Sequence, residues 1–266
     1  MCVSGLDPTH CGRVQARAVI AVLIAAYNEA SQLGRLLPLV PERVRGHEVM
    51  VAVASDGSTD DTVRVARDAG CGTVEATTNR GKGATLRMGI AAIEHLDYEV
   101  LALMDGDGQH DPADLEALVV PILEDRADLV VGSRYTNACG REQAPWNRYA
   151  VRCATTTVLD RLLERRFSDP YCGFRAMSPA TVALIDLEGD RYQSELEMLF
   201  AAAQHGLRVA EIPIAKVYGP GTSKMGARRG LLFGRLEVIS QYAGAIIRRT
   251  VRLRKARHVS APKVPL

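Results

Sequence analysis

The chain has 266 residues, of which 47% are hydrophobic, 24% charged and 5% aromatic. This composition excludes a disordered or fibrous protein, and the length is enough for one large α/β domain or two small ones. No uncharged run approaches the roughly 20 apolar residues that a membrane-spanning helix needs. The six cysteines form no CxxC pair and no ligand spacing with the histidines, so we expect reduced thiols in a cytoplasmic protein.

The net charge of +2 conceals an asymmetry along the chain. Residues 221–266 carry eleven Lys or Arg side chains and a single acid, Glu237, so this segment has a formal charge of +10. Its apolar residues between Leu231 and Ile247 are typical of an interfacial helix, or equally of a helix packed on the domain. A basic tail favours an anionic partner such as a membrane surface, although a solvated charged end is an equally simple interpretation.

Short apolar, β-branched runs alternate with helix-like stretches along the chain. The runs predict strands at 19–25, 48–54, 73–76, 100–104, 129–132 and 207–214. Helices are predicted near 30–39, 60–69, 82–95, 112–123, 146–164 and 193–205. This alternation predicts an α/β fold with a mainly parallel sheet that helices cover on both faces. We divide the chain into an N-terminal extension (1–17), a main domain (18–220) and a basic C-terminal segment (221–266).

The first apolar run also resembles a secretion signal, because Arg13 and Arg17 precede it. Cleavage there would remove the residues just before Tyr27, where a polar cluster begins. A buried first strand explains the run better.

Two carboxylates follow the fourth predicted strand. Asp105 and Asp107, separated by one glycine, are suited to share a hard divalent cation through oxygen ligands. Such a cation would neutralise charge on a diphosphate leaving group. A calcium loop is the alternative, but His110 stands where that loop needs glycine. Asp111 reads as the N-cap of a helix that starts at Pro112.

Other polar groups lie at further strand and helix ends. Asp56 is suited to accept a hydrogen bond from a base or a ribose, or belongs to a capped turn. Lys82 follows a glycine at a helix start, a setting that favours phosphate, although the run is not a Walker loop. Arg134 and Arg175 each come two residues after a glycine; arginine binds phosphate through paired donors, but alone is more often in a surface salt bridge.

Together these motifs resemble family 2 glycosyltransferases, most closely the branch of dolichyl- and polyprenyl-phosphate mannose and glucose synthases. The resemblance covers roughly four fifths of the chain, from residue 19 to residue 224. It depends on the order and spacing of short runs at 24–29, 53–60, 105–109, 132–135, 173–175, 195–199, 211–213 and 223–224. Two departures are Ala25, where proline is usual, and Ser55, which replaces the first of two acids.

The resemblance implies a GT-A (Rossmann-like) fold and an inverting transfer of a hexose from a nucleotide-diphosphate sugar of the GDP-mannose or UDP-glucose type. It implies that Mg²⁺ or Mn²⁺ is held by Asp105, Asp107 and Gln109. We expect the nucleotide sugar to contact Ala25, Tyr27, Glu29, Asp56, Lys82 and Asp105. The expected catalytic residues are Asp107, Arg134, Arg175 and Asp169. The expected acceptor-phosphate ligands are Arg134, Arg175 and Lys224.

The acceptor prediction rests on the chemistry of the transfer. Transfer to a hydroxyl needs a carboxylate base, for which Asp169 is the candidate, although residues 168–170 also read as a plain turn. A phosphate acceptor is already anionic and needs cations instead. Together with the basic segment, this predicts transfer to a polyprenyl phosphate by a protein peripheral at the inner face of the cell membrane.

Two alternatives stay open from the sequence, and a third is disfavoured. One is a family 2 enzyme that acts on a soluble small-molecule or glycan hydroxyl, and a less favoured one is a non-catalytic nucleotide-sugar binder. A nucleotidyltransferase would need a glycine-rich, basic signature after the first strand, which the sequence lacks. We expect no nucleic-acid partner, and the sequence does not define the oligomeric state.

Overall fold

The structure is a computed structural model that describes residues 19–135, 156–157, 159–191 and 193–215. The predicted extension, the predicted basic segment, Lys224 and most of the predicted helix 146–164 lie outside the described residues. The strands are β1 (Val19–Ala26), β2 (Arg43–Val44), β3 (His47–Ser55), β4 (Gly72–Glu75), β5 (Val100–Asp105), β6 (Leu129–Ser133), β7 (Arg175–Met177) and β8 (Val209–Pro213). The α-helices are α1 (Ala30–Leu36), α2 (Thr62–Asp68), α3 (Lys82–Ile93), α4 (Leu115–Leu123), α5 (Pro179–Leu184) and α6 (Ser194–His205), with 3₁₀ turns at Leu37–Leu39 and Pro112–Asp114.

Within the described ranges, eight strands form one mixed sheet in the order β2–β3–β1–β5–β7–β6–β8, and β4 also pairs with β3. The pairs β1–β3, β1–β5, β3–β4 and β6–β8 are parallel, whereas β7 runs antiparallel to both of its neighbours. The register places Ala25 beside both Ala54 and Asp105. The carboxyl ends of β1, β3 and β5 therefore meet at one edge, which is where open α/β sheets bind ligands.

The core of the domain is this sheet with helices packed on it. The apolar runs of β1, β5 and β6 are buried along their length, because helices cover both faces. Helix α3 approaches the sheet closely at Gly89, where a Cβ atom would lie 2.6 Å from Leu23 Cδ1. Glycine favours this close approach, because a Cβ atom there would overlap the Leu23 side chain.

The predicted elements are confirmed with shifts of a few residues at their ends, apart from the helix 146–164, most of which lies outside the described residues. The N-cap prediction is also confirmed, since the Asp111 carboxylate accepts from the Ala113 amide at 3.0 Å and Pro112 begins the turn before α4. Strands β2 and β7 and helix α5 were not predicted. Within the described ranges, no helix has the length and apolar character to cross a membrane.

Candidate active site

The loops after β1 and β3 are joined to each other at the ligand-binding edge. Asn28 adopts a left-handed backbone conformation with φ of 54°. Its backbone N–H donates a hydrogen bond to Ser58 Oγ at 3.0 Å. The amide of Glu29 donates to Thr62 Oγ1 at 2.8 Å. These bonds hold the partly exposed Tyr27 and the buried Glu29 beside the carboxyl ends of β1 and β3, where we predicted that a nucleoside binds.

Asp56 is buried at the end of β3 and connects that strand to the start of α3. Its two carboxylate oxygens accept from the amides of Arg80 at 2.8 Å and Gly81 at 2.9 Å. Asp56 therefore organises the loop that leads into α3. Its contact with a nucleoside stays a prediction.

The glycines at the start of α3 allow a close approach to the loop 189–191. A Cβ atom on Gly81 would lie 2.5 Å from the Asp190 carbonyl oxygen, and one on Gly83 would overlap the Gly189 carbonyl. The Gly83 amide donates to Arg191 O at 2.9 Å, and the next amide donates to Asp190 O at 3.0 Å. Because these amides already donate to carbonyls, the predicted phosphate contact at this helix start falls to the side chain of Lys82, and it stays a prediction.

That first residue is Lys82, whose ammonium lies between two carboxylates. Its Nζ is 2.5 Å from Asp105 Oδ1 and 2.6 Å from Glu195 Oε1. The side chains of Lys82, Asp105 and Glu195 are 17%, 26% and 7% exposed. Burial alone lowers the pKa of Lys82, but the two carboxylates outweigh burial and raise that pKa, so the ammonium stays charged.

Asp105 and Asp107 occupy different electrostatic environments. Burial alone raises the pKa of Asp105, but Lys82 and His110 outweigh it and hold that pKa below the ordinary value; His110 Nε2 lies 3.5 Å from Asp105 Oδ2. Asp107 Oδ1 accepts a hydrogen bond from the backbone N–H of Gln109 at 3.0 Å. Burial and the neighbouring Asp105 charge nevertheless raise the pKa of Asp107. A further cation beside Asp107 would relieve this repulsion.

Asp105 and Asp107 have the chemistry to hold a divalent cation together with a substrate phosphate. Among the described residues, no group of three or more His, Cys, Asp or Glu side chains is arranged to hold a metal ion. Mg²⁺ characteristically takes one or two carboxylates and completes its shell with water and substrate phosphates. Asp105 and Asp107 meet that requirement, while the contact through the Gln109 side chain stays a prediction.

Arg134 and Asp169 form a bidentate ion pair after β6. Arg134 Nε is 2.6 Å from Asp169 Oδ2, Nη2 is 3.0 Å from Oδ1, and the Arg134 amide also donates to Oδ2 at 3.2 Å. Glu211 on β8 accepts from the amides of Ser168 at 3.0 Å and Asp169 at 3.1 Å, which fixes the turn. Both oxygens of the buried Asp169 accept from Arg134, so its geometry suits orientation of that arginine rather than removal of a proton.

Arg175, at the start of β7, is fully buried. Its guanidinium donates to the carbonyls of Cys172 at 2.9 Å, Glu195 at 2.7 Å and Pro170 at 2.6 Å. These bonds tie the turn before β7 to the first turn of α6. The expected direct contact of Arg175 with an acceptor phosphate does not fit this position, because the guanidinium has no exposed surface.

The turn before β7 also packs directly on the carboxylate cluster. A Cβ atom on Gly173 would lie 2.6 Å from Lys82 Nζ and would overlap the Asp105 carboxylate. The Phe174 ring contacts the buried His110 ring, with centroids 5.2 Å apart. This turn therefore connects the Arg134–Asp169 pair to the end of β5.

Comparisons with known proteins identify the family of the chain. A sequence model described as Glycosyl transferase family 2 matches residues 21–179. The chain belongs to this family. It is 32% identical over 219 residues to an undecaprenyl-phosphate mannosyltransferase of Micrococcus luteus, covering 77% of this chain and 87% of the relative. It is 30% identical over 222 residues to a polyprenol monophosphomannose synthase of Mycolicibacterium smegmatis, covering 79% of this chain and 81% of the relative.

A solved structure shares the fold of this glycosyltransferase. Glucosyl-3-phosphoglycerate synthase from Mycobacterium tuberculosis, solved in complex with Mn²⁺, uridine diphosphate and phosphoglyceric acid, superimposes with a TM-score of 0.65 at 20% identity. The match covers 88% of this chain and 78% of that one. At this identity the likeness shows the fold alone, and it confirms the predicted α/β GT-A architecture.

Reasoning from the sequence missed some contacts of the glycosyltransferase site. The sequence pattern includes Glu195 only in a late motif, and His110 only as an obstacle to a calcium loop. A detectable sign is the pair Glu195 and Glu197 in the buried first half of α6, since acids on a buried helix need partners. The identity of those partners was not readable.

Proposed function

We propose that this glycosyltransferase moves a hexose, with inversion, from a nucleotide-diphosphate sugar to a polyprenyl phosphate with the help of Mg²⁺ or Mn²⁺. The observation that carries the proposal is the pairing of both Asp169 oxygens with Arg134. Asp169 is the residue that the sequence predicts as the base for a hydroxyl acceptor, but both of its oxygens pair with the Arg134 guanidinium. A phosphate acceptor is already anionic, so it needs a cationic group such as this guanidinium but no base.

On the donor side, Asp105 and Asp107 would hold the divalent cation against the donor diphosphate. The bound cation would neutralise the charge that develops on the departing diphosphate. The register of β1 against β5 supports this position for the diphosphate, because Ala25 near the end of β1 lies beside Asp105. The nucleoside would then lie along the ends of β1 and β3, near Tyr27, Glu29 and Asp56.

On the acceptor side, Arg134 would orient the phosphate that attacks the sugar. Its guanidinium is partly exposed and already held in one orientation by Asp169, so little rotamer entropy is lost when an anion binds. The similarity to enzymes named for undecaprenyl-phosphate and polyprenol substrates supports this acceptor class. Residues 221–266, with a charge of +10, would bring the domain to the anionic inner face of the membrane, with Lys224 as a further phosphate ligand.

The test is a transfer assay with the purified full chain. GDP-mannose and UDP-glucose are each incubated with a polyprenyl phosphate in Mn²⁺, in Mg²⁺ or in excess EDTA. We expect release of the nucleoside diphosphate and formation of a lipid-linked sugar with one donor, and no turnover in EDTA. Asp107→Ala should lower the rate at least about 100-fold. The matched control Asp61→Asn removes an exposed acid that pairs with Arg64 and should leave the rate unchanged.

Two further arms decide the acceptor and the role of the basic segment. If the enzyme transfers sugar to soluble hydroxyl acceptors and not to lipid phosphate, the acceptor part of the proposal is refuted. Removal of the residues after Ile247 should slow transfer to long-chain lipid phosphate more than transfer to a short soluble analogue. Equal rates on both substrates, with no binding of the intact protein to anionic liposomes, would refute the membrane part.

A further inference from the structure

Lys82 raises a question about metal binding that the proposed function leaves open. The carboxylate that would ligate the cation, Asp105, already pairs with an ammonium 2.5 Å away. A divalent cation at Asp105 therefore has to be bound against the positive charge of Lys82. Lys82 also contacts Glu195, which lies outside the predicted metal site.

The position of Lys82 is closely constrained by its surroundings. The start of α3 is held by hydrogen bonds from Gly83 and Ala84 to the carbonyls of residues 191 and 190. The nearby Gly173 has no room for even a Cβ atom between itself and the ammonium. The Lys82 ammonium has two charged partners, Asp105 and Glu195. The side chain is only 17% exposed, so the loss of both partners would destabilise the charged ammonium.

Glu195 is itself held in place, so it can act as the second partner. It lies in the first turn of α6, its Oε2 accepts from Ser194 Oγ at 3.0 Å, and its carbonyl accepts from Arg175 at 2.7 Å. If the contact between Lys82 and Asp105 opened, the ammonium would keep its charged hydrogen bond to Glu195. Without that carboxylate, Lys82 would depend on Asp105 alone.

We propose that Lys82 competes with the divalent cation for Asp105, and that Glu195 is a positioning residue that limits this competition by giving the ammonium a second carboxylate. The inference rests on the proposed function, because it takes Asp105 and Asp107 as the metal ligands. The two side chains are therefore expected to have opposite effects on metal binding. Removal of Lys82 strengthens metal binding, whereas removal of the Glu195 charge weakens it.

The experiment measures the Kd of Mn²⁺ for the nucleotide-free full chain at pH 7.5, by the electron paramagnetic resonance signal of free Mn²⁺. Lys82→Gln should lower the Kd about tenfold, and Glu195→Gln should raise it by a similar factor. In the double variant the effect of Glu195→Gln should disappear, because it acts through Lys82. The double variant also preserves net charge, so it remains informative where Lys82→Gln alone fails to fold.

The exposed ion pair of Arg45 and Glu116 provides matched controls. Arg45→Gln and Glu116→Gln make the same charge changes away from the site and should leave the Kd unchanged. A Kd of Lys82→Gln for Mn²⁺ that equals or exceeds that of the original protein would overturn the proposal. The absence of Mn²⁺ binding by every variant would overturn it as well. So would a Glu195→Gln effect that persists in the Lys82→Gln background, because a purely structural role predicts that result.

A further variant separates failure of this inference from failure of the proposed function. Mn²⁺ binding that is unaffected by Asp107→Ala would show that the predicted metal site is wrong. Binding that requires Asp107 but is insensitive to Lys82 would leave the proposed function standing and refute the competition.

Discussion

Gly173→Ala should damage the active site through the addition of a single carbon atom. The new Cβ would lie 2.6 Å from Lys82 Nζ, whereas ordinary contact begins near 3.4 Å, so the ammonium must move by about 1 Å. A displacement of this size in a catalytic group can lower the rate about 100-fold. Overpacking of this kind costs about 2 kcal/mol, which corresponds to a fall in Tm of about 4–8 °C for a domain of this size.

The assay combines thermal unfolding with the rate of nucleoside-diphosphate release. Gly34→Ala is the matched control: Gly34 lies within α1, and its Cβ would make an ordinary contact with Val65 Cγ1 of α2 at 3.9 Å. That change should raise stability by about 1 kcal/mol through helix propensity and leave the rate unchanged. A Gly173→Ala variant with the Tm and rate of the original protein would refute the assigned contact between this turn and the carboxylate cluster.

Three other predictions concern buried groups. Arg134→Ala should cost about 3–5 kcal/mol in urea unfolding because it leaves Asp169 buried and unpaired; a cost below about 1 kcal/mol would show that the pair is not buried in solution. Cys172 should resist alkylation at pH 8 in the native protein and react in urea, because burial raises its pKa to about 12 and so suppresses the thiolate; mass-spectrometric mapping that finds equal labelling in both states would contradict this. Gly89→Ala should lower stability by about 1–3 kcal/mol because its Cβ would overlap Leu23, while the activity per folded molecule stays the same; an unchanged Tm would contradict the packing.

Local sequence was sufficient for much of the fold. The apolar run of β1 predicts a strand because a chain buried on both faces needs apolar residues at every position. The N-cap at Asp111 was predictable because capping involves residues only two positions apart. Strand β7 was not predictable, since its three residues form a strand only by pairing with β5 and β6, both distant in the chain.

The sequence by itself predicted which side chains gather at the candidate site. The acids at 105 and 107 and the lysine at 82 follow strand or helix boundaries, and the parallel sheet brings such boundaries to one edge. The order of the motifs was therefore enough to predict the family and the metal motif.

Only the tertiary structure decided what each of those side chains contacts. Arg134 and Arg175 have similar sequence settings, yet one is a partly exposed partner of Asp169 and the other is a buried donor to backbone carbonyls. Lys82 finds Glu195 across more than one hundred residues of chain. Ion pairs and close contacts between such distant segments depend on how the helices and turns pack, and no local pattern encodes that distance.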